Sequence, residues 1–137
     1  MCSVFTQGGK NNYAGYGLVF RESGTGKLVT LHLESNSYAS AGNGYFRAIK
    51  MSSPTTTVAS YLDTLLIPLS SAPIYFRIAD DGTNQISSIS TDGQNWLQLH
   101  SVSRTDYLTG GANQVGVYFN TGNNWAVNAH LISWAQG

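Results

Sequence analysis

The tripeptide Tyr-Phe-Arg occurs twice in the chain, as Tyr45-Phe46-Arg47 and as Tyr75-Phe76-Arg77. Neighbouring side chains of a β-strand point to opposite faces, so each copy buries its Phe and turns Tyr and Arg together to the other side. A rigid ring beside a planar guanidinium suits recognition, because the ring supplies area at low entropic cost and the guanidinium supplies fixed donors. Related polar mixtures recur at Tyr118/Asn120, Asn128/His130 and Thr30/His32. The candidate ligand-binding face is therefore Tyr45, Arg47, Tyr75, Arg77, Tyr118, Asn120 and His130 on one shared surface. A second candidate site gathers the loop residues Tyr13, Tyr38, Tyr107 and Trp125 with Asn123 and Asn124 at one end of the fold. The competing explanation is sheet architecture, in which such cross-strand pairs each contribute only about 0.2–1 kcal/mol.

Catalytic chemistry is poorly provided for. Hydrolysis of a glycosidic bond needs two positioned carboxylates, one as acid and one as nucleophile or base. The chain has only two Glu, Glu22 and Glu34, and its Asp residues (Asp63, Asp80, Asp81, Asp92 and Asp106) fall mostly in turn sequences. His32, His100 and His130 show no metal-ligand spacing, and nothing marks a nucleophile. No enzyme activity and no cofactor are expected. "DDGTN" offers Asp80, Asp81 and Asn84 as oxygen ligands for a structural calcium, against the plainer reading of a hairpin loop.

The elements that must position these residues are strands. "YGLVFRES", "KLVTLHLES", both Tyr-Phe-Arg segments and "NQVGVYFN" alternate with a period of two. The expected core is Leu18, Phe20, Leu31, Phe46, Phe76, Ile78, Val117 and Phe119. Only Thr57 to Leu66 could be argued as a helix, and its β-branched start and flanking Pro54 and Pro68 weigh against that. Gly-Thr-Gly at 24–26, the loops at 36–44, 80–84 and 109–113, and the Asp92-Gly93 turn separate about nine or ten strands. At 137 residues the chain is one domain, 1–137, expected to be an all-β, two-sheet antiparallel sandwich.

Charged residues make up only 10% of the chain, against roughly 25% in typical soluble domains, and the formal net charge is zero. Such a chain has no long-range attraction for a phosphate backbone or an anionic membrane, so neither nucleic acid nor membrane insertion is expected. The single cysteine, Cys2, excludes an intrachain disulfide and a Cys-based zinc site. "MCSVFTQGGK" lacks the basic and apolar regions of a signal peptide. A surface kept wet by hydroxyls and amides accords with an extracellular or virion-associated protein.

From about Tyr16 to Trp134 the chain resembles the concanavalin A-like jelly-roll superfamily, and within it the accessory-sandwich branch with a Ser-x-Asp-Gly-x-x-Trp hairpin. The residues that carry the resemblance are Gly17-Leu18-Val19-Phe20-Arg21, Phe76-Arg77-Ile78, Ser90-Thr91-Asp92-Gly93-Gln94-Asn95-Trp96, Val115-Gly116-Val117-Tyr118-Phe119 and a last segment from Ala129 to Trp134. The resemblance implies a jelly roll. Trp96 opens a strand, and a cap on the core is favoured for it over a ligand-holding role. Enzymes of this superfamily tend to carry Glu-x-Asp-x-x-Glu on one strand, which is missing here. Such domains usually have further strands before the equivalent of "GLVF", so the expectation is either a minimal sandwich or an edge completed by strands supplied from elsewhere. Two functions remain open: a module that binds a glycan or cell-surface receptor, and a structural virion or tail component that contacts other protein subunits.

Overall fold

A computed structural model of the chain describes residues 2–3, 13–36, 43–68, 73–121 and 134–135. No described residue is helical, and none lies in a helix long and apolar enough to cross a membrane. The strands are β1 (Cys2–Ser3), β2 (Tyr13–Arg21), β3 (Leu28–Asn36), β4 (Asn43–Ser53), β5 (Thr56–Pro68), β6 (Ile74–Asp80), β7 (Asn84–Ser90), β8 (Leu97–Ser103) and β9 (Gln114–Thr121). They form two antiparallel sheets, in the orders β5-β4-β3-β2-β9 and β1-β6-β7-β8. The segment with an arguable helical reading is β5, whose β-branched Thr56, Thr57 and Val58 suit a pleated strand.

Alternation sorts each strand into two faces. Tyr16 stands opposite Leu33 and Leu33 opposite Phe46, while Leu18 stands opposite Leu31, giving an apolar inner face to the five-stranded sheet. Ile74, Phe76 and Ile89 close over it from the other sheet. The rings of Phe46 and Phe76 meet edge-on at 6.0 Å, and Tyr16 meets Phe76 at 5.7 Å. Burial of these rings dominates the contact between the layers. At one end a polar clasp joins β4 and β5 to the loop after β8. There Tyr61 donates to Asp106 at 2.6 Å, and Lys50 bonds Asp106 at 2.8 Å while lying over the Tyr61 ring. Burial and the neighbouring Asp106 push the Tyr61 hydroxyl well above its ordinary pKa.

Leu18, Phe20, Leu31, Phe46 and Phe76 are buried as expected, and Ile78 packs half-buried against them. Val117 and Phe119 are a correction, being 42% and 47% exposed. Both are on the inner side, in register with Leu18 and Tyr16. Among the described residues β9 is the last strand of its sheet, and beyond β6 the facing sheet continues only as the two-residue β1, so little packs over them.

Candidate functional site

The two Tyr-Phe-Arg copies lie in different sheets and face one another through their phenylalanines. Tyr45 and Arg47 therefore point away from the core on one side of the molecule, and Tyr75 and Arg77 on the other. This corrects the expectation of one shared surface. Tyr118 and Asn120 are in the same cross-strand rows as Arg47 and Tyr45, through Gly17–His32 and Gly15–Glu34. His130 and Trp125, with Tyr38, Asn123 and Asn124, lie outside the described residues.

The face of the five-stranded sheet is occupied by its own interactions. A Cβ on Gly17 would lie 2.0 Å from the Leu31 carbonyl oxygen, and one on Gly15 would lie 3.1 Å from the His32 ring. These two bare positions leave space in which the Tyr118 ring comes within 4.9 Å of the His32 ring. His32 is fully buried. Its Nδ1 is 2.9 Å from the Thr30 hydroxyl and its Nε2 is 3.6 Å from Glu34. The Glu34 carboxylate is too far from Nε2 for a hydrogen bond, but its charge favours the proton on that nitrogen, with Thr30 then donating to Nδ1. Burial keeps the imidazole below its ordinary pKa, and Glu34 offsets only part of that. For Glu34 burial works the other way, but His32 and Arg47 outweigh it and hold the carboxyl below the usual range. Arg47 reaches both Glu34 oxygens at 3.0 and 3.1 Å and Asp63 at 2.7 Å, and these carboxylates raise its pKa against the effect of burial. Asn120 donates to the Tyr118 hydroxyl at 2.9 Å. The chain Thr30–His32–Glu34–Arg47–Asp63 engages most of its polar atoms internally, His32 Nε2 being a buried atom left without a hydrogen bond.

The opposite face differs. Arg77 is exposed, and its guanidinium carbon lies 4.3 Å from the centre of the Trp96 ring, a cation–π stack. Trp96 is half-buried and lies beside Arg77 on the outward side of the sheet, a correction to its expected place as a cap on the core. The turn that delivers it is built as its sequence suggests. Asp92 Oδ1 accepts from the backbone N–H groups of Gln94 and Asn95 at 2.8 Å each, and its carboxylate also takes Ser90 Oγ at 2.9 Å and Asn95 Nδ2 at 2.7 Å. These bonds, led by those from Asn95, hold the Asp92 carboxyl far below its ordinary pKa. Gly93 takes φ +75°, and a Cβ there would come within 3.2 Å of the Tyr75 ring. The turn thus rests on Tyr75, while the small Ser90 and Ser88 stand opposite Tyr75 and Arg77 in β7. Trp96 is the site residue that sequence reasoning ranked as core rather than surface. Arg77 meets it only through the register of β6, β7 and β8, which no local pattern announces.

The other candidates resolve simply. Asp80 pairs with Arg104 at 3.1 Å, and Asp81 Oδ1 accepts from the N–H groups of Thr83 and Asn84, so the 80–84 loop turns its oxygens onto protein partners. No three His, Cys, Asp or Glu side chains among the described residues come together as a metal site. Glu22 accepts from the Thr25 hydroxyl and the Gly110 N–H, which keep its carboxyl ionised below the usual range. Tyr107 is half-buried under Lys27, 4.9 Å from its ring centre. A cleft of about 470 Å³ opens between β6 and β9, lined by Leu18, Phe20, Phe76, Ile78, Val115 and Trp134 among others. No protein-family model, curated protein or solved structure matches the chain.

Proposed function

We propose that the chain is a non-catalytic carbohydrate-binding module of an extracellular or virion-associated assembly, built on a concanavalin A-like jelly roll. The observation that carries this reading is the outer face of β6, where exposed Arg77 and half-exposed Tyr75 and Trp96 gather beside an amide-rich turn. Aromatic surface and planar donors at one place suit a sugar ring and its hydroxyls. The non-catalytic part is supported by the two glutamates, since each is already bonded within the fold, Glu22 to Thr25 and Gly110 and Glu34 to Arg47. A glycan array probed with the purified chain tests the proposal. A bound glycan is expected, with Tyr75→Ala and Arg77→Ala abolishing its binding while the melting temperature barely moves. Absence of any bound glycan, with both variants instead lowering stability by about 1 kcal/mol, would assign the residues to sheet architecture.

One observation favours the second reading, a structural subunit that contacts other proteins. Val115, Val117 and Phe119 of β9 are exposed, Val115 lining the cleft between β6 and β9, an unusual concentration for a free surface. Co-purification of the chain as a defined oligomer that binds no glycan would favour this reading over the first.

A further inference from the structure

Resting on the glycan-binding reading above, we propose that the Arg77 face takes an acidic glycan, with Arg77 receiving the carboxylate of a uronic or sialic acid. The stack with Trp96 decides which chemistry Arg77 offers. A guanidinium held 4.3 Å over an indole has less freedom to turn, which leaves its N–H groups better placed for a partner. The arrangement matches the fork of a carboxylate, which accepts two parallel N–H bonds. It also takes up one face of Trp96, and Gly93 takes up one face of Tyr75, so broad stacking on a neutral pyranose has less room.

The charge pattern points the same way. Arg77 and Asp80 are the only formally charged residues in β6, β7 and β8, and Asp80 is bound by Arg104. Asp92, the acidic residue of the adjoining turn, has both oxygens occupied by Ser90, Gln94 and Asn95. No carboxylate among the described residues forms an ion pair with Arg77, whereas Arg47 on the opposite face has two. A preoriented cation without an internal counter-ion, set among hydroxyls and amides, selects a ligand that carries the missing anion on a polar ring.

The test is calorimetric titration with oligogalacturonate and its neutral methyl ester, and with sialyllactose and lactose. At least one acid is expected to bind about tenfold or more tighter than its neutral partner, since a charge-assisted bidentate pair is lost in the latter. Arg77→Lys should weaken that acid about tenfold, because an ammonium keeps the charge but not the fork. Trp96→Ala, which removes the ring that restrains the guanidinium, should weaken it as well, and melting curves of both variants report whether the fold is kept. Equal affinity for acid and neutral forms, with Arg77→Ala still abolishing binding, would overturn the acidic preference and leave the glycan reading standing. Failure of every saccharide in both the titrations and the array would remove both. Binding of polyglutamate as tight as that of the acidic sugars would overturn the proposal in favour of an unselective anion patch.

Discussion

His32 illustrates how two absent side chains create a chemical environment. Gly15 and Gly17 leave the outer surface of β2 bare, so an imidazole and a phenol pack over it and bury Thr30, His32 and Glu34. Gly17→Ala should therefore cost about 3 kcal/mol in urea unfolding, because the clash is with the backbone of β3, which cannot step aside. Burial puts the folded pKa of His32 below its ordinary value of 6.5, so the unfolded chain binds more protons in that window. Stability from neutral His32 is then complete above about pH 6.5 and falls as the pH drops below it. His100, depressed chiefly by its own burial, adds in the same direction. Thermal melts should decline from about pH 6.5 downwards, and His32→Gln should flatten part of that slope. Nitrogen shifts of the ring supply an independent check at pH 7. They should report the Nε2–H tautomer, and the Nδ1–H form would contradict the assigned Thr30 and Glu34 roles.

Strand alternation told which side chains of each element are buried, and for Phe46 and Phe76 that reading holds at 1% and 2% exposure. It could not tell which sheet a strand joins. The chain passes from one sheet to the other between β5 and β6, so an identical tripeptide presents Tyr and Arg in opposite directions. Burial depth on β9 was hidden for a related reason. Val117 and Phe119 have the correct side but an edge position, and strand order is a property of the assembled sheet. The Asp92-Gly93 turn was legible because its hydrogen bonds stay within six residues, from Ser90 to Asn95. Phe46→Ala and Phe76→Ala should each cost about 3–5 kcal/mol, as buried Phe truncations do. Because the rings touch, the double variant should cost less than the sum by about 0.5–3 kcal/mol. Strict additivity in chemical denaturation would mean that the two sheets do not meet there in solution.

Among the described residues, the molecule has one face tied up in its own ion pairs, one face with Arg77 outside any ion pair, and one strand edge at β9. Gln114–Thr121 carries no charge and no proline, the features that commonly blunt an edge strand, and among the described residues β9 pairs only with β2. The formal net charge of zero and an isoelectric point near 6.8 provide no long-range repulsion between copies at neutral pH. The isolated chain should therefore self-associate as its concentration rises, and Val117→Lys should reduce this without loss of fold. Size-exclusion chromatography with light scattering measures both. A monomer at all concentrations, unchanged by the lysine, would show that the β9 edge recruits nothing.

Because a cation sits on its indole, Trp96 should behave as an optical gauge of the Arg77 face. The sequence has three tryptophans, so replacing Trp125 and Trp134 with Phe would leave Trp96 as the sole indole emitter. In that background Arg77→Ala should shift the emission maximum, since the field of the guanidinium acts directly on the excited ring. A ligand that draws the guanidinium outward should move the spectrum in the same sense and saturably. Occupancy could then be followed by light alone, with no label on the protein or the ligand.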